Sequence, residues 1–243
     1  MLHYHCTYLS ETALLLTFGN DISRYTHEQV LLAKKIIEAT PFAGFIETVP
    51  AYNSLAVVFN PEQTQTATSP VSFVKERIEQ LLENVRTDPS PDIELNDTAT
   101  LIHIPVCYDN TLGIDLNEIS ETLQLSIPEI IHIHSSTTYT VFMTGFVPGF
   151  PYMGVLDERI VMPRKTSPRT KLAAGSVAIA GNQTGIYPLE TPGGWNIIGQ
   201  TPVRIFDKSR ANPFLLKAGD QVKFSPVSKE EYYQTLAAFA KNE

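Results

Sequence analysis

Cysteine is nearly absent from this 243-residue chain: Cys6 and Cys107 lie far apart, without the paired spacing that holds zinc or supports thiol redox chemistry. They read as reduced thiols, which excludes a disulfide scaffold. Basic charge is also short. Lys and Arg number 18 against 26 Asp and Glu, for a formal net charge of -8. The counterion release that drives binding to a phosphate backbone therefore has little source, and nucleic acid is not an expected partner. Long apolar runs are missing near the start: Ala13–Leu16 is too short for a membrane span or a signal-peptide core, and no basic n-region precedes it. No membrane association is expected, and the cytoplasm is the expected location. Two catalytic signatures are lacking as well. Gly181-Asn182-Gln183-Thr184-Gly185 is bounded by glycine but has no phosphate-loop lysine, and Gly175-Ser176-Val177 lacks the second glycine of a nucleophile elbow. The pairs His3/His5 and His132/His134 are spaced by two, which puts both rings on one face only in a strand. His132 falls in a helical stretch and no third ligand can be named, so no metal is expected.

What is present is an ordinary globular composition, 43% hydrophobic and 18% charged. The run Ala13–Phe18 predicts a buried strand ended by Gly19-Asn20-Asp21. Thr26 and Gln29 have capping-box spacing, and Val30, Ala33, Ile36 and Ile37 follow on one helical face that ends near Thr40-Pro41. Phe45–Val49 and Leu55–Phe59 predict two strands. A second helix follows, with Ser69 as cap, Pro70 at its first position and Val71, Val74, Ile78, Leu81 and Val85 as its stripe. After the polar stretch Thr87–Asp97, Ala99–Val106 predicts another strand. This order is that of a ferredoxin-like α/β sandwich over residues 1–105.

Residues 106–243 change character. Short helices are expected after Asp115 and over Ser126–His134, where Ser126 and Glu129 repeat the capping-box spacing. Short strands are expected at Thr140–Thr144, Ser176–Ala180, Gly185–Tyr187 and Val203–Phe206. The Gly and Pro between them suggest a closed or nearly closed β-structure. Lys229–Lys241 predicts a last amphipathic helix.

Candidate binding residues concentrate between Gly145 and Asp207. Gly145-Phe146-Val147-Pro148-Gly149-Phe150-Pro151-Tyr152 projects aromatic rings from a loop stiffened by Gly and Pro. It reads either as a packed turn or as a presented binding face. Arg164 and Arg169 each follow a proline and suit carboxylate or phosphate recognition, although exposed surface arginines would look the same. Gly193-Gly194 permits close backbone approach and could offer N–H donors, and Trp195 beside it is either a core plug or an anchor. Gln183 and Tyr187 are candidate hydrogen-bonding groups.

Taken in order, Gly145–Tyr152, Pro163-Arg164, Pro168-Arg169, Ala174–Gly181, Gln183–Pro188, Pro192–Trp195 and Gly199–Pro202 resemble the family of the 5-oxoprolinase B subunit. That family also includes the kinase inhibitor KipI and allophanate hydrolase subunit 1. Pro105–Tyr108, Gly113–Leu116 and Lys217–Phe224 agree with it. Leu172-Ala173-Ala174-Gly175 departs from the family's usual Val-Pro-Ala-Gly, and Gln200 stands where an Arg is usual, so no cation role is carried to position 200. The resemblance implies an α+β chain whose C-terminal part, 106–243, is a cyclophilin-like β-barrel of carboxyltransferase type. It also implies two protein partners of the 5-oxoprolinase complex, a C subunit of related barrel fold and an A subunit. The three together would open 5-oxoproline to glutamate at the expense of ATP, with this chain inactive alone. On this basis Phe146, Pro148, Phe150, Tyr152, Arg164, Arg169, Gln183, Tyr187, Gly193 and Gly194 are the expected substrate-binding residues. No nucleophile is assigned, and ATP is placed at the level of the complex. Two other outcomes are consistent with the resemblance: a regulator docking on a histidine kinase, and half of a urea-carboxylase or allophanate-type carboxyltransferase.

Overall fold

In the computed structural model, which describes residues 2–64, 69–83 and 100–240, contacts divide the chain into two units, Met1–Ala99 and Thr100–Glu243. The predicted polar stretch Thr87–Asp97, with Val85, Ala99 and Lys241, lies outside the described residues.

The first unit is built on an antiparallel sheet of β1 (His5–Ser10), β2 (Ala13–Thr17), β3 (Phe45–Pro50) and β4 (Ser54–Phe59), in the order β1-β2-β4-β3. Alternation puts Leu14, Leu16, Leu55, Val57 and Phe59 on one face. They pack against Val30, Ala33 and Ile37 of α1 (Arg24–Ala39) and Val74, Ile78 and Leu82 of α2 (Pro70–Glu83). Each such burial contributes about 1.5–3 kcal/mol, which is what holds two amphipathic helices to the sheet. The first cap is Ser23 and not Thr26. The Ser23 hydroxyl accepts from the Thr26 N–H at 3.2 Å, so α1 starts earlier than the capping-box spacing indicated. Thr26 is buried inside the helix and donates to Asp21.

The ferredoxin-like order is not what forms. Among the described residues the first unit runs strand, strand, helix, strand, strand, helix. The strand expected at Ala99–Val106 appears as β5 (Leu101–Val106), but it pairs in parallel with β13 (Gln221–Pro226) from the far end of the chain. Contacts therefore divide the chain at 99/100, ahead of the expected boundary at 105/106.

The second unit holds a seven-stranded sheet. Its strands are β5, β6 (Thr138–Thr144), β7 (Pro151–Gly154), β9 (Ser176–Ala180), β10 (Gln183–Ile186), β12 (Asn196–Gln200) and β13, in the order β12-β9-β10-β7-β6-β13-β5. The edges meet just beyond β5, where Cys107 and Gln200 exchange backbone hydrogen bonds of 2.9 and 3.0 Å. That exchange curls the sheet onto itself and spares two edges from open exposure. Val203–Phe206 forms no strand; Phe206 makes a single bridge to Phe214, and Ile205 is buried in the core.

One face of the sheet carries the large core, with Val141, Met153, Val177, Ile179, Ile198 and Phe224 packed against Leu116 and Ile119 of α3 (Leu116–Leu123) and Ile130 and Ile133 of α4 (Ile127–Ser136). The predicted capping box at Ser126 and Glu129 is present. The intervening residues Tyr152, Ala178, Ala180 and Ile197 point to the opposite face. There a second cluster forms beside a small ribbon of β8 (Arg169–Leu172) and β11 (Thr191–Gly193). A last helix, α5, spans Lys229–Ala240. No helix among the described residues is long and apolar enough to cross a membrane.

Candidate functional site

The second cluster is centred on Phe150, 1% exposed. Its ring meets Tyr152, Tyr187 and Trp195 at centroid distances of 4.8, 5.1 and 5.4 Å, the last two edge-to-face, the favourable arrangement for ring quadrupoles. Phe150 also explains Gly185: a Cβ there would come within 2.8 Å of the Phe150 ring, so the ring lies directly on bare backbone of β10. The sequence-predicted loop is thus both readings at once. Phe150 is a core ring, whereas Phe146 stands 64% exposed at its rim, edge-on to Phe150 at 6.0 Å. Phe146 holds a φ of 69°, a left-handed conformation unusual for a bulky residue. Backbone bonds Val147 N–H to Gly145 O, Phe150 N–H to Val147 O and Gly145 N–H to Phe150 O hold the loop in shape, with Pro148 exposed near its tip.

Arg164 completes this face. Its guanidinium carbon lies 5.8 Å from the centre of the Trp195 ring, within cation–π range, and among the described residues it has no carboxylate partner. Burial raises the Tyr152 pKa and Arg164 pulls it partly back; burial likewise raises Tyr187, opposed by a hydrogen bond with the Trp195 backbone. Both phenols stay protonated at neutral pH. The face therefore offers flat aromatic walls and one uncommitted cation, a combination suited to a small planar ring bearing a carboxylate.

The other expected residues are placed differently. Arg169 does not point to open anion space: its Nη1 and Nη2 donate to the two carboxylate oxygens of Asp115 at 3.0 and 2.6 Å. Gly193 is buried under Tyr187 and paired with Arg169, and the Gly194 carbonyl accepts the Lys165 N–H at 2.8 Å. Gln183 shares the aromatic face by register, opposite Ala180, but is nearly buried further along β10.

Asp115 was not foreseen as a site residue, because its partners are remote in sequence: Arg169, Lys165 and the Ile197 N–H. Burial pushes its carboxyl up, and the bonds from Arg169, Ile197 and Lys165 outweigh this and hold it below the ordinary range. Among the described residues no group of three or more His, Cys, Asp or Glu is placed to hold a metal ion. His134 is instead buried in the large core between Tyr108 and Thr184, and His132 is exposed.

The family described as carboxyltransferase domain, subdomain C and D, matches residues 4–216. The chain belongs to that family. Among its relatives in the carboxyltransferase family, the 5-oxoprolinase B subunit of Bacillus subtilis (strain 168) is 42% identical over 95% of each chain, and that of Escherichia coli O157:H7 is 35% identical over 91% of this chain and 95% of its own. The crystal structure of TTHA0988 shares 33% identity with a TM-score of 0.74, covering 89% of this chain and 40% of that longer one. The K. lactis urea amidolyase, at 18% identity and a TM-score of 0.74, shares the fold over 95% of this chain and 15% of its own. The carboxyltransferase family match spans the aromatic face entirely, so that face is family territory and not an appended element.

Proposed function

We propose that this chain is the B subunit of an ATP-dependent 5-oxoprolinase complex. With a C subunit of related barrel fold it activates 5-oxoproline, and the A subunit opens the ring to glutamate. The names of relatives identical at 42% and 35% over nearly the whole chain support membership of such a complex. In the longer TTHA0988 and urea amidolyase chains the matched portion is continuous with further sequence, which supports a module that works beside others. The closed seven-stranded sheet is taken as the cyclophilin-like barrel of that family.

The observation that carries the reading is Arg164 over Trp195, beside Tyr152 and Phe150. 5-Oxoproline is a small flat lactam with one carboxylate, and this face pairs one free cation with ring surfaces. Activation is the transfer of the ATP γ-phosphoryl group to the lactam oxygen with release of ADP. This chain has no phosphate-loop lysine, so no residue here is assigned to ATP. What its own side chains contribute is orientation of the lactam against that transfer and exclusion of water by the aromatic walls.

The test is ATP consumption and glutamate release from 5-oxoproline by the chain alone, by the chain mixed with the A and C subunits, and by those two in its absence. Activity only in the complete mixture is expected. Arg164→Gln should raise KM for 5-oxoproline by about 10–100-fold, the cost of losing one charge-assisted bond of roughly 1.5–3 kcal/mol. An unchanged KM removes Arg164 from the site. The family's carboxyltransferase name supports a second reading, half of an enzyme that transfers a carboxyl group from carboxybiotin to an amide. Product formation that requires carboxybiotin and not ATP would select it.

A further inference from the structure

Asp115 has no part in the reading above, yet it is a buried carboxylate bonded to two cations and a backbone N–H. Its side chain is 2% exposed, a costly place for a carboxylate unless its lone pairs are met. They are met by Arg169 Nη1 and Nη2 at 3.0 and 2.6 Å, Lys165 Nζ at 3.1 Å and the Ile197 N–H at 2.7 Å. Its own N–H returns a bond to the Ile197 carbonyl at 3.0 Å.

These partners are the supports of the aromatic face. Ile197 packs in the Phe150 cluster, Arg169 begins β8, and Lys165 directly follows Arg164. The segment 163–169 is tied at further points. Asn196 Nδ2 donates to the Pro163 carbonyl at 2.8 Å, and the Lys165 N–H donates to the Gly194 carbonyl at 2.8 Å. Arg164 thus sits between two anchored neighbours, and its place over Trp195 follows from theirs. The segment carries three cations, and two of them are sequestered. Lys165 is bound by both Asp115 and Glu118, and Arg169 is bound by Asp115, which leaves Arg164 unpaired.

We propose that Asp115 is a positioning and specificity-determining residue: by binding Arg169 and Lys165 it fixes the segment and leaves Arg164 as its single free cation, selecting substrates with one carboxylate over dianions. The inference rests on the aromatic face being the substrate site. Discrimination of this kind arises from withholding charge that a second anionic group would otherwise meet.

The experiment uses the complex assembled from all three 5-oxoprolinase subunits. It compares kcat and KM for 5-oxoproline, and inhibition by sulfate as a compact dianion, in wild type, Asp115→Asn and Arg164→Gln. Asp115→Asn should raise KM about tenfold with a much smaller change in kcat, because a reacting geometry is loosened and not removed. It should also tighten sulfate inhibition several-fold, since Arg169 loses its carboxylate partner while Lys165 keeps Glu118. A purely structural residue would lower the amount of active complex, with kcat down and both KM and sulfate inhibition unchanged; that pattern overturns the proposal. If Arg164→Gln leaves KM unchanged, the site reading falls and this inference with it. If Arg164→Gln raises KM and Asp115→Asn does not, only the role of Asp115 falls. Should Asp115→Asn fail to assemble, Lys165→Gln at the less buried end of the network keeps the Asp115–Arg169 pair. It is expected to raise KM roughly threefold without sulfate gain, and an unchanged KM overturns the proposal.

Discussion

At the scale of single residues, Gly193 shows how closely the aromatic face is packed. A Cβ at this position would stand 2.3 Å from the Tyr187 hydroxyl oxygen and 2.7 Å from Leu172 Cδ1. Tyr187 is 2% exposed and cannot swing clear without opening the cluster. Gly193→Ala should therefore cost about 1–3 kcal/mol, the usual range for overpacking. Thermal unfolding of the single variant and of Gly193→Ala/Tyr187→Phe checks the cause: the second substitution removes the clashing oxygen and should recover part of the loss. No recovery would mean that Leu172 Cδ1 or the Tyr187 ring carbon Cε1, each 2.7 Å from the added Cβ, carries the strain. The Gly-Gly pair was legible in the sequence as a close approach, but what approaches was not. At Gly193 the approach is by a tyrosine of the same chain. The same holds for Arg164 and Arg169, which look alike beside their prolines. Only folding brings Asp115, 54 positions before Arg169, against one of them and leaves the other over Trp195. Local spacing identifies residue types suited to an anion and cannot say which charges the protein has already neutralised.

At the scale of elements, α4 is the best case of local information deciding structure. Ser126 Oγ accepts from the Glu129 N–H, and Glu129 Oε2 accepts from the Ser126 N–H at 2.8 Å, so donors at the helix start are satisfied reciprocally. Ile130 and Ile133 then enter the core one turn later. Ser126→Ala should cost about 1 kcal/mol and lower the unfolding midpoint by roughly 2–4 °C. A midpoint unchanged within error would show that packing of Ile130 and Ile133 alone sets the helix start. The strands were read less completely for a physical reason. β1, His5–Ser10, is an edge strand with mostly exposed residues, so it has no apolar alternation to betray it. β5 was recognisable as a strand, but its partner was not, because alternation is a property of one segment and pairing is not. Its register with β13, Leu101 opposite Gln221 through Val106 opposite Pro226, spans more than a hundred positions of chain. Placing that strand in the first unit is what produced the ferredoxin-like expectation.

At the scale of the whole molecule, the buried histidines tie stability to pH. His134 is fully buried, stacked on Phe224 at 4.6 Å and bonded at both ring nitrogens. Thr184 Oγ1 donates its proton to the Ala178 carbonyl at 3.0 Å, so it must accept from His134 Nε2–H at 2.9 Å. Nδ1 then accepts from the Tyr108 hydroxyl at 2.8 Å, and the ring is neutral, in one tautomer, with every polar atom satisfied. Burial lowers its pKa from 6.5 to about 3. In the first unit burial also lowers the pKa of His27. The unfolded chain binds the His134 proton as pH falls through about 6.5, while the folded chain resists until about 3. Stability from this group is therefore complete above pH 6.5 and is lost progressively between about 6.5 and 3. Its extent is on the order of a few kcal/mol. Carboxylates held low by hydrogen bonds, such as Asp109 and Asp157, lose their contribution only nearer pH 2 to 4. Asp220, whose pKa burial raises, acts in the opposite sense. Chemical unfolding at pH 7, 6, 5 and 4 should thus show a loss that begins near pH 6.5, before ordinary carboxylates titrate. In His134→Gln, an uncharged side chain of the same hydrogen-bonding character, the early part of that loss should shrink, leaving the share that belongs to His27. Equal slopes for wild type and variant between pH 6.5 and 5 would mean that His134 is protonated in the folded protein, with the Tyr108 bond reversed and the Nε2–H bond to Thr184 kept.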